Sequence, residues 1–392
     1  MTAALLSGVR VLDLSRLLPG PFATRLLSDM GAEVIKVEPP EGDGVRTMMP
    51  GLYEFLNRGK RAVRVDLKTE AGREFVLDLA ATCDVVMEGF RPGVADRLGV
   101  GFDAVRARRA DVVYCSLSGF GQDGPKRDHP GHDIDYEAAG GAFASVLAAG
   151  EPPAPPHVPV GDLSGATFSA LTICAALAAR ARGTVDNRPV HLDVSIQETV
   201  AYFAASRWGP FLLTGEAPRV EQLANWAPGH GMFQTAGGEW LVLAAIEDKF
   251  WVNLCTALQR PDMAEPPYAR HADRMVHRHR LRAELDRMVR EQALDGLLAL
   301  LHAHDVPAER VRDAAAVCAD PHMRARGAVR DLGDQLLLDF PVRIGDTRSA
   351  ATLRQPHPAE DLAFVLDGIG AGDERRAELA ASGALPDMRA EA

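Results

Sequence analysis

The chain has 392 residues, 47% hydrophobic and 25% charged, with a formal net charge of −11. That length exceeds what one core organises and predicts two domains, and the composition excludes both a disordered chain and a membrane-embedded one. The acidic balance excludes a broad grip on nucleic-acid phosphates.

Five scattered cysteines, Cys83, Cys115, Cys174, Cys255 and Cys318, include no CxxC pair, so neither a disulfide framework nor a zinc site is expected. The opening MTAALLSGVRVLDL lacks the basic start and long apolar stretch of a secretory signal, which predicts a cytoplasmic protein. No apolar run approaches the ~20 residues of a bilayer span. TFSALTICAALAARA (167–181) is interrupted by Thr and Ser and reads as a buried helix, so no membrane association is expected.

In chain order come VRVLDL (9–14), a helix from about Phe22 to Met30, EVIKVE (33–38), AVRVDL (62–67), a helix from about Glu70 to Ala81, DVVMEGF (84–90) and DVVYCSLS (111–118). Short β-branched runs alternating with helices predict an α/β fold, a Rossmann-like, mainly parallel sheet flanked by helices. The turn after the first strand, SRLLPGPFA, is not G-x-G-x-x-G, so no nicotinamide cofactor is expected. RGKR (58–61) lacks the spacing of a P-loop.

AGEPPAPPHVPV (149–160) is a stiff, extended loop leading into a long helix that ends near Arg182, followed by a strand at PVHLDVSI (189–196). After about Gly215 the texture changes. GGEWLVLAAIEDKFWVNLCTAL reads as strand, turn and helix, and charge-rich helical sequence follows it. The expected division is a large domain over 1–215, a smaller α+β domain over 216–330, and an irregular segment over 331–392 with a helix near 359–368. In HADRMVHRHRLRAELDRMVRE (271–291), His277 and His279 point to different helix faces and no carboxylate completes a ligand set, so no metal is expected.

Several residues have chemical potential. Asp162, in VGDLSGATFSAL, suits a helix N-cap; the same place sets a carboxylate beside free helix N–H groups, fit to act as base or nucleophile near a developing oxyanion. Arg58, Lys60 and Arg61 in NRGKRAV, with Arg91 and Arg97 in EGFRPGVADRLGVG, place cations in strand-adjacent loops, a pattern for recognising a phosphorylated small molecule. Ordinary surface loops carry such residues too. Glu247 is the first acidic residue after an apolar strand, as helix-entry charge or as a site carboxylate. His132, in GHDIDY, is uninformative alone.

Taken together, LSGVRVLDLSRLLPGP, DMGAEVIKVEPP, NRGKRAVRVDLKT, VVMEGFRPGVADRLG, YCSLSGFGQDGP, VPVGDLSGATFSAL and DVPAERVRDAAAVCADPHMRARG resemble the family III coenzyme A transferases (CaiB/BaiF), a family that includes the α-methylacyl-CoA racemases. The resemblance implies an acyl-CoA substrate in lipid metabolism, with CoA brought by the substrate and no other cofactor. It implies that the basic set holds CoA, with Arg91 and Arg97 the best matches. It also implies an interlocked homodimer in which the carboxy-terminal segment returns to the large domain.

Within the family, GHDI-Tyr and the Glu of AAIE are most similar to the racemase branch, whereas transferases usually carry an aromatic residue at the His132 position. This implies a racemase or epimerase inverting the α-carbon of a 2-methylacyl-CoA by two-base 1,1-proton transfer through an enolate. His132 and Asp162 would flank that carbon and Glu247 would orient the imidazole. The enolate oxygen would rest on N–H groups near Leu163 to Gly165, and Tyr136 and Gly161 would shape the pocket. Such chemistry needs the two pKa values drawn closer than the ~6.5 and ~3.9 of the free groups. Burial would raise the aspartate and cap bonds would lower it. LSGAT after Asp162, VEPPEGD and NRGKR look more like the transferase branch, so the alternative is a CoA transferase working through an Asp162 acyl anhydride. A second alternative is a non-catalytic acyl-CoA binding protein.

Overall fold

The computed structural model describes residues 4–184, 186, 188–216, 226–348 and 353–386. Six strands, β1 Arg10–Asp13, β2 Glu33–Glu38, β3 Arg61–Arg64, β4 Val85–Glu88, β5 Val113–Ser118 and β6 Val190–Ser195, form one sheet in the order β3-β2-β1-β4-β5-β6. Every neighbouring pair is parallel. Parallel strands with helices on both faces bury both sides, which is why β4 and β5 are continuous buried runs rather than alternating ones.

One face of the sheet packs Leu12, Ile35, Val63, Val86 and Tyr114 against the helix Glu70–Ala81, through Phe75, Val76 and Leu79. That helix begins where Thr69 Oγ1 accepts the Gly72 N–H at 3.0 Å. The other face packs Val11, Val34, Val85 and Val113 with Ala23 and Leu27 of the helix Pro19–Asp29 and Ala166, Ala170 and Ile173 of the helix Val160–Ala181.

The helix Val160–Ala181 differs from expectation. It runs for 22 residues with a mean hydropathy of 1.4 over its most apolar window, which meets the length and composition of a bilayer span. The sequence pattern hid this because Asp162, Ser164 and Thr167 interrupt the apolar run. Its small-residue face is buried against β5 and β6.

The chain forms two compact units, one from residues up to 142, 154–204 and 339 onward, the other from 143–153 and 205–338. In the first unit the carboxy-terminal segment lines the outer edge of β3. The helix Pro358–Gly368 supplies Asp361, whose Oδ2 accepts the Ala62 N–H at 3.0 Å; nearby, the Asp66 N–H donates to the Ala384 carbonyl at 2.8 Å and the Gly59 N–H to the Arg354 carbonyl at 2.8 Å. An edge strand's unpaired N–H groups are thereby covered from within the chain.

The second unit is α+β. β7 His230–Gln234, β8 Trp240–Ala244 and β9 Ala308–Arg310 form an antiparallel sheet in that order. The helices Asp248–Ala257, Arg278–Arg290 and Leu294–Ala303 close its core around Phe233, Leu243, Trp251, Leu285 and Leu298. Within the His-rich stretch the helix breaks at His277, whose ring packs edge-on against Tyr268, while His279 is exposed.

Candidate functional site

Strand order reverses between β1 and β4, and in sheets of this kind ligands bind outside the carboxyl ends of the strands at that reversal. A cleft of about 570 Å³ lies there in the first unit. Its walls are the loops leaving β1 (Arg16 to Pro19), β4 (Gly89 to Pro92) and β5 (Ser118 to Phe120), with His132, Tyr136 and Asp162 from the segments that follow. A second cleft of about 300 Å³, over the ends of β2 and β3, shares Arg16 and Phe90 with the first. The two adjoin as a groove along the strand ends. Sequence reading missed Arg16, Phe90, Phe120, Arg127 and His129 in these walls. The available signal was positional, since they lie on or just beyond loops that follow strands.

His132 and Asp162 line the same cleft. His132 is exposed and precedes the helix Asp133–Ala139, with its backbone N–H donated to Asp135 Oδ2 at 2.9 Å. Tyr136 forms the cleft wall, its hydroxyl donating to the Gly131 carbonyl at 2.5 Å and its ring edge-on to Phe120 at 5.2 Å. Burial, then Asp162 and Asp135, push its phenol up to about 12, so it remains a neutral donor. Gly119 and Gly131 make room for this ring, because a Cβ at either would collide with it.

Asp162 is not the N-cap. Pro159 precedes the helix, and Asp162 sits inside its first turn. The helix start is capped from outside: Glu137 Oε1 accepts the Val160 N–H at 3.1 Å, and Asp133 Oδ1 accepts the Asp162 N–H at 2.9 Å. Gly161 permits that approach, since a Cβ there would lie 2.9 Å from Asp133 Oδ1.

The N–H of Leu163 already donates to the Pro159 carbonyl at 3.1 Å, and Ser164 and Gly165 lie within the helix, so these amides do not form an oxyanion pocket. Among the described residues the Asp162 carboxylate accepts no hydrogen bond, so the contest over its pKa is decided. Burial, then the charge of Asp133, push it up to about 7.

The basic set separates. Lys60 is fully buried, donating to Asp13 Oδ2 at 3.2 Å, the Pro21 carbonyl at 2.8 Å, Thr24 Oγ1 at 2.8 Å and Asn57 Oδ1 at 2.9 Å. Burial lowers its pKa to about 7. It binds the scaffold and does not reach the cleft, which corrects the expectation of a CoA contact. Arg58 is buried in the turn after the helix Pro50–Asn57. Arg61 lies 3.5 Å over the Phe364 ring and donates to Asp361 Oδ1 at 3.2 Å, in the edge-strand cover rather than the cleft. Arg91 lines the cleft and is exposed; Arg97 is exposed on the short helix Val94–Arg97. Glu247 belongs to the second unit, exposed at the N-terminus of the helix Asp248–Ala257.

The sequence matches CoA-transferase family III over residues 6–362. It is 32% identical over 396 aligned positions to the succinyl-CoA:mesaconate CoA-transferase of Haloarcula hispanica, covering 94% of this chain and 98% of that protein. It is 34% identical to the succinyl-CoA–D-citramalate CoA-transferase of Chloroflexus aurantiacus, covering 88% of each. The crystal structure of a CaiB/BaiF family protein from Brucella suis superposes with a TM-score of 0.82 at 30% identity, over 93% of this chain and 99% of that one. The Haloarcula and Chloroflexus relatives are transferases by name and favour the transferase alternative over the racemase expectation. The chain belongs to CoA-transferase family III.

Proposed function

We propose that the protein transfers CoA between carboxylic acids, with Asp162 as the nucleophile. The observation that carries this is a carboxylate inside the switch-point cleft with no hydrogen-bond donor on it, set in a first helical turn whose amides are already used. A carboxylate relieved of donors is a better nucleophile than a capped one. Ionised Asp162 attacks the thioester carbonyl, the C–S bond breaks, and CoA departs as thiolate from a mixed anhydride. The thiolate then takes the aspartyl carbonyl and frees the first acid. The second acid attacks that aspartyl thioester and displaces the thiolate to give a second anhydride, and the thiolate then attacks the acyl carbon of the second acid and releases Asp162 as its carboxylate. One C–S bond is broken and one formed overall.

The groove supports CoA along the strand ends, with Arg16 at the junction and Lys68 in the cleft over β2 and β3. Arg91, Arg127 and His129 in the main cleft support an acyl group bearing a second carboxylate, in keeping with the succinyl donors in the relatives' names. A homodimer is the assembly we propose.

Epimerisation is the second reading, favoured by His132 sharing the cleft with Asp162. Incubation with succinyl-CoA and with a chiral 2-methylacyl-CoA in deuterated water separates the two. Transfer predicts acyl exchange that requires an acceptor acid and no α-deuterium; deuterium incorporation without acceptor overturns it in favour of epimerisation.

A further inference from the structure

Glu137 is fully buried and lies one helical turn after Asp133 on the same face of the helix Asp133–Ala139. Its Oε1 accepts the Val160 N–H, while its equally buried Oε2 has no hydrogen-bond partner. An unpaired buried carboxylate oxygen beside a second carboxylate is costly when both are charged. Burial and then Asp133 push Glu137 toward its protonated form, in which Oε2 becomes a donor with the Asp133 carboxylate as its acceptor. Asp133 in turn holds the Asp162 N–H. At this corner the helix that starts at Ile196 contributes uncharged groups, Gln197 on the Ala139 carbonyl and Thr199 on Ser164, so the titratable groups that meet are Asp133, Glu137 and Asp162.

We propose that Glu137 is a positioning residue for Asp162. As a neutral carboxyl it donates to Asp133, and the two side chains together hold the first turn of the helix Val160–Ala181 so that Asp162 faces the cleft. A fully ionised pair would repel and loosen that turn; a pair sharing one proton clamps it. The inference rests on Asp162 as the acting carboxylate, but its first test needs no turnover.

Infrared difference spectra of the resting full-length protein at neutral pH, wild type against Glu137→Gln, show a buried carboxylic-acid C=O band lost in the variant; only a carboxylate band lost overturns the proposal. In turnover, Glu137→Gln keeps both the uncharged state and a donor, so kcat and the pH profile stay within about twofold of wild type. Glu137→Leu leaves the Val160 N–H and Asp133 unpartnered, and kcat falls at least tenfold while KM for acyl-CoA changes less than threefold. Wild-type kcat in Glu137→Leu overturns the proposal, as does a pH profile in Glu137→Gln displaced to lower pH, which would mean that a charge had been removed. If Glu137→Leu does not fold, the infrared band and the Glu137→Gln profile decide.

Discussion

At the scale of single residues, Asp162 is poised between roles by its surroundings. Burial and the neighbouring Asp133 carboxylate raise it to about 7, far above an ordinary aspartate, so its protonated and ionised forms are both populated around neutral pH. Because the nucleophile is the ionised form, kcat/KM for CoA transfer is expected to rise with pH around a midpoint near 7. A profile flat from pH 5 to 8 counts against Asp162 in this role. The same shift acts on stability with the opposite sign. Folded Asp162 binds its proton more tightly than the unfolded chain does, so its contribution is fully present below about pH 4 and is lost as pH rises through about 7. Asp162→Asn is therefore expected to abolish transfer yet stabilise the fold by roughly 1 kcal/mol at pH 8, after discounting for partial exposure, read as a higher thermal midpoint. His132→Phe is expected to keep transfer within about tenfold, whereas a general acid–base role would cost ~10²–10⁴. Asp162 was legible in the sequence as a chemically apt residue, and His132 only through the family resemblance. Asp133 and Glu137 were not, since two carboxylates one turn apart read as an ordinary polar helix face until the start of a second helix is brought against them.

At the scale of elements, Lys60 shows how tertiary context reassigns a charge. Lys60 read as one of a set of cations for a phosphorylated small molecule, but the step into β3 turns it inward, where it joins Asp13 at the end of β1 to Thr24 in the next helix. Lys60→Met is expected to cost about 3–5 kcal/mol in urea unfolding by removing the cation bonded to buried Asp13, which keeps its Ser15 and Thr24 hydrogen bonds, with little change in KM for acyl-CoA in the folded fraction. A large rise in KM without loss of stability would return Lys60 to the ligand. Gly161→Ala tests the capping geometry, because the added Cβ meets Asp133 Oδ1 at 2.9 Å. It is expected to lower kcat more than it raises KM.

At the scale of the whole molecule, the chain after residue 339 completes the first unit. Val365, Leu366, Leu379 and Ala384 belong to the same core cluster as Leu12 and Ile35, and Asp361 closes the β3 edge. Deleting residues 339–392 is expected to abolish cooperative unfolding of that unit and to promote aggregation through the exposed edge, measurable by calorimetry and light scattering. A truncated protein with an unchanged transition would refute this.

What the sequence by itself determined was local: which runs are strands, which are helices, and that the first third alternates them. Those properties follow from β-branched content and hydrophobic period, which neighbours along the chain express without help. The family was also legible, because its signature segments are contiguous. Only the tertiary structure decided which loops meet at the β1/β4 reversal, that Asp162 is surrounded by carboxyls instead of capped by its own helix, and that Lys60 points inward. Each of these depends on contacts between residues tens of positions apart, and burial and charge at such contacts come from packing, which has no sequence period.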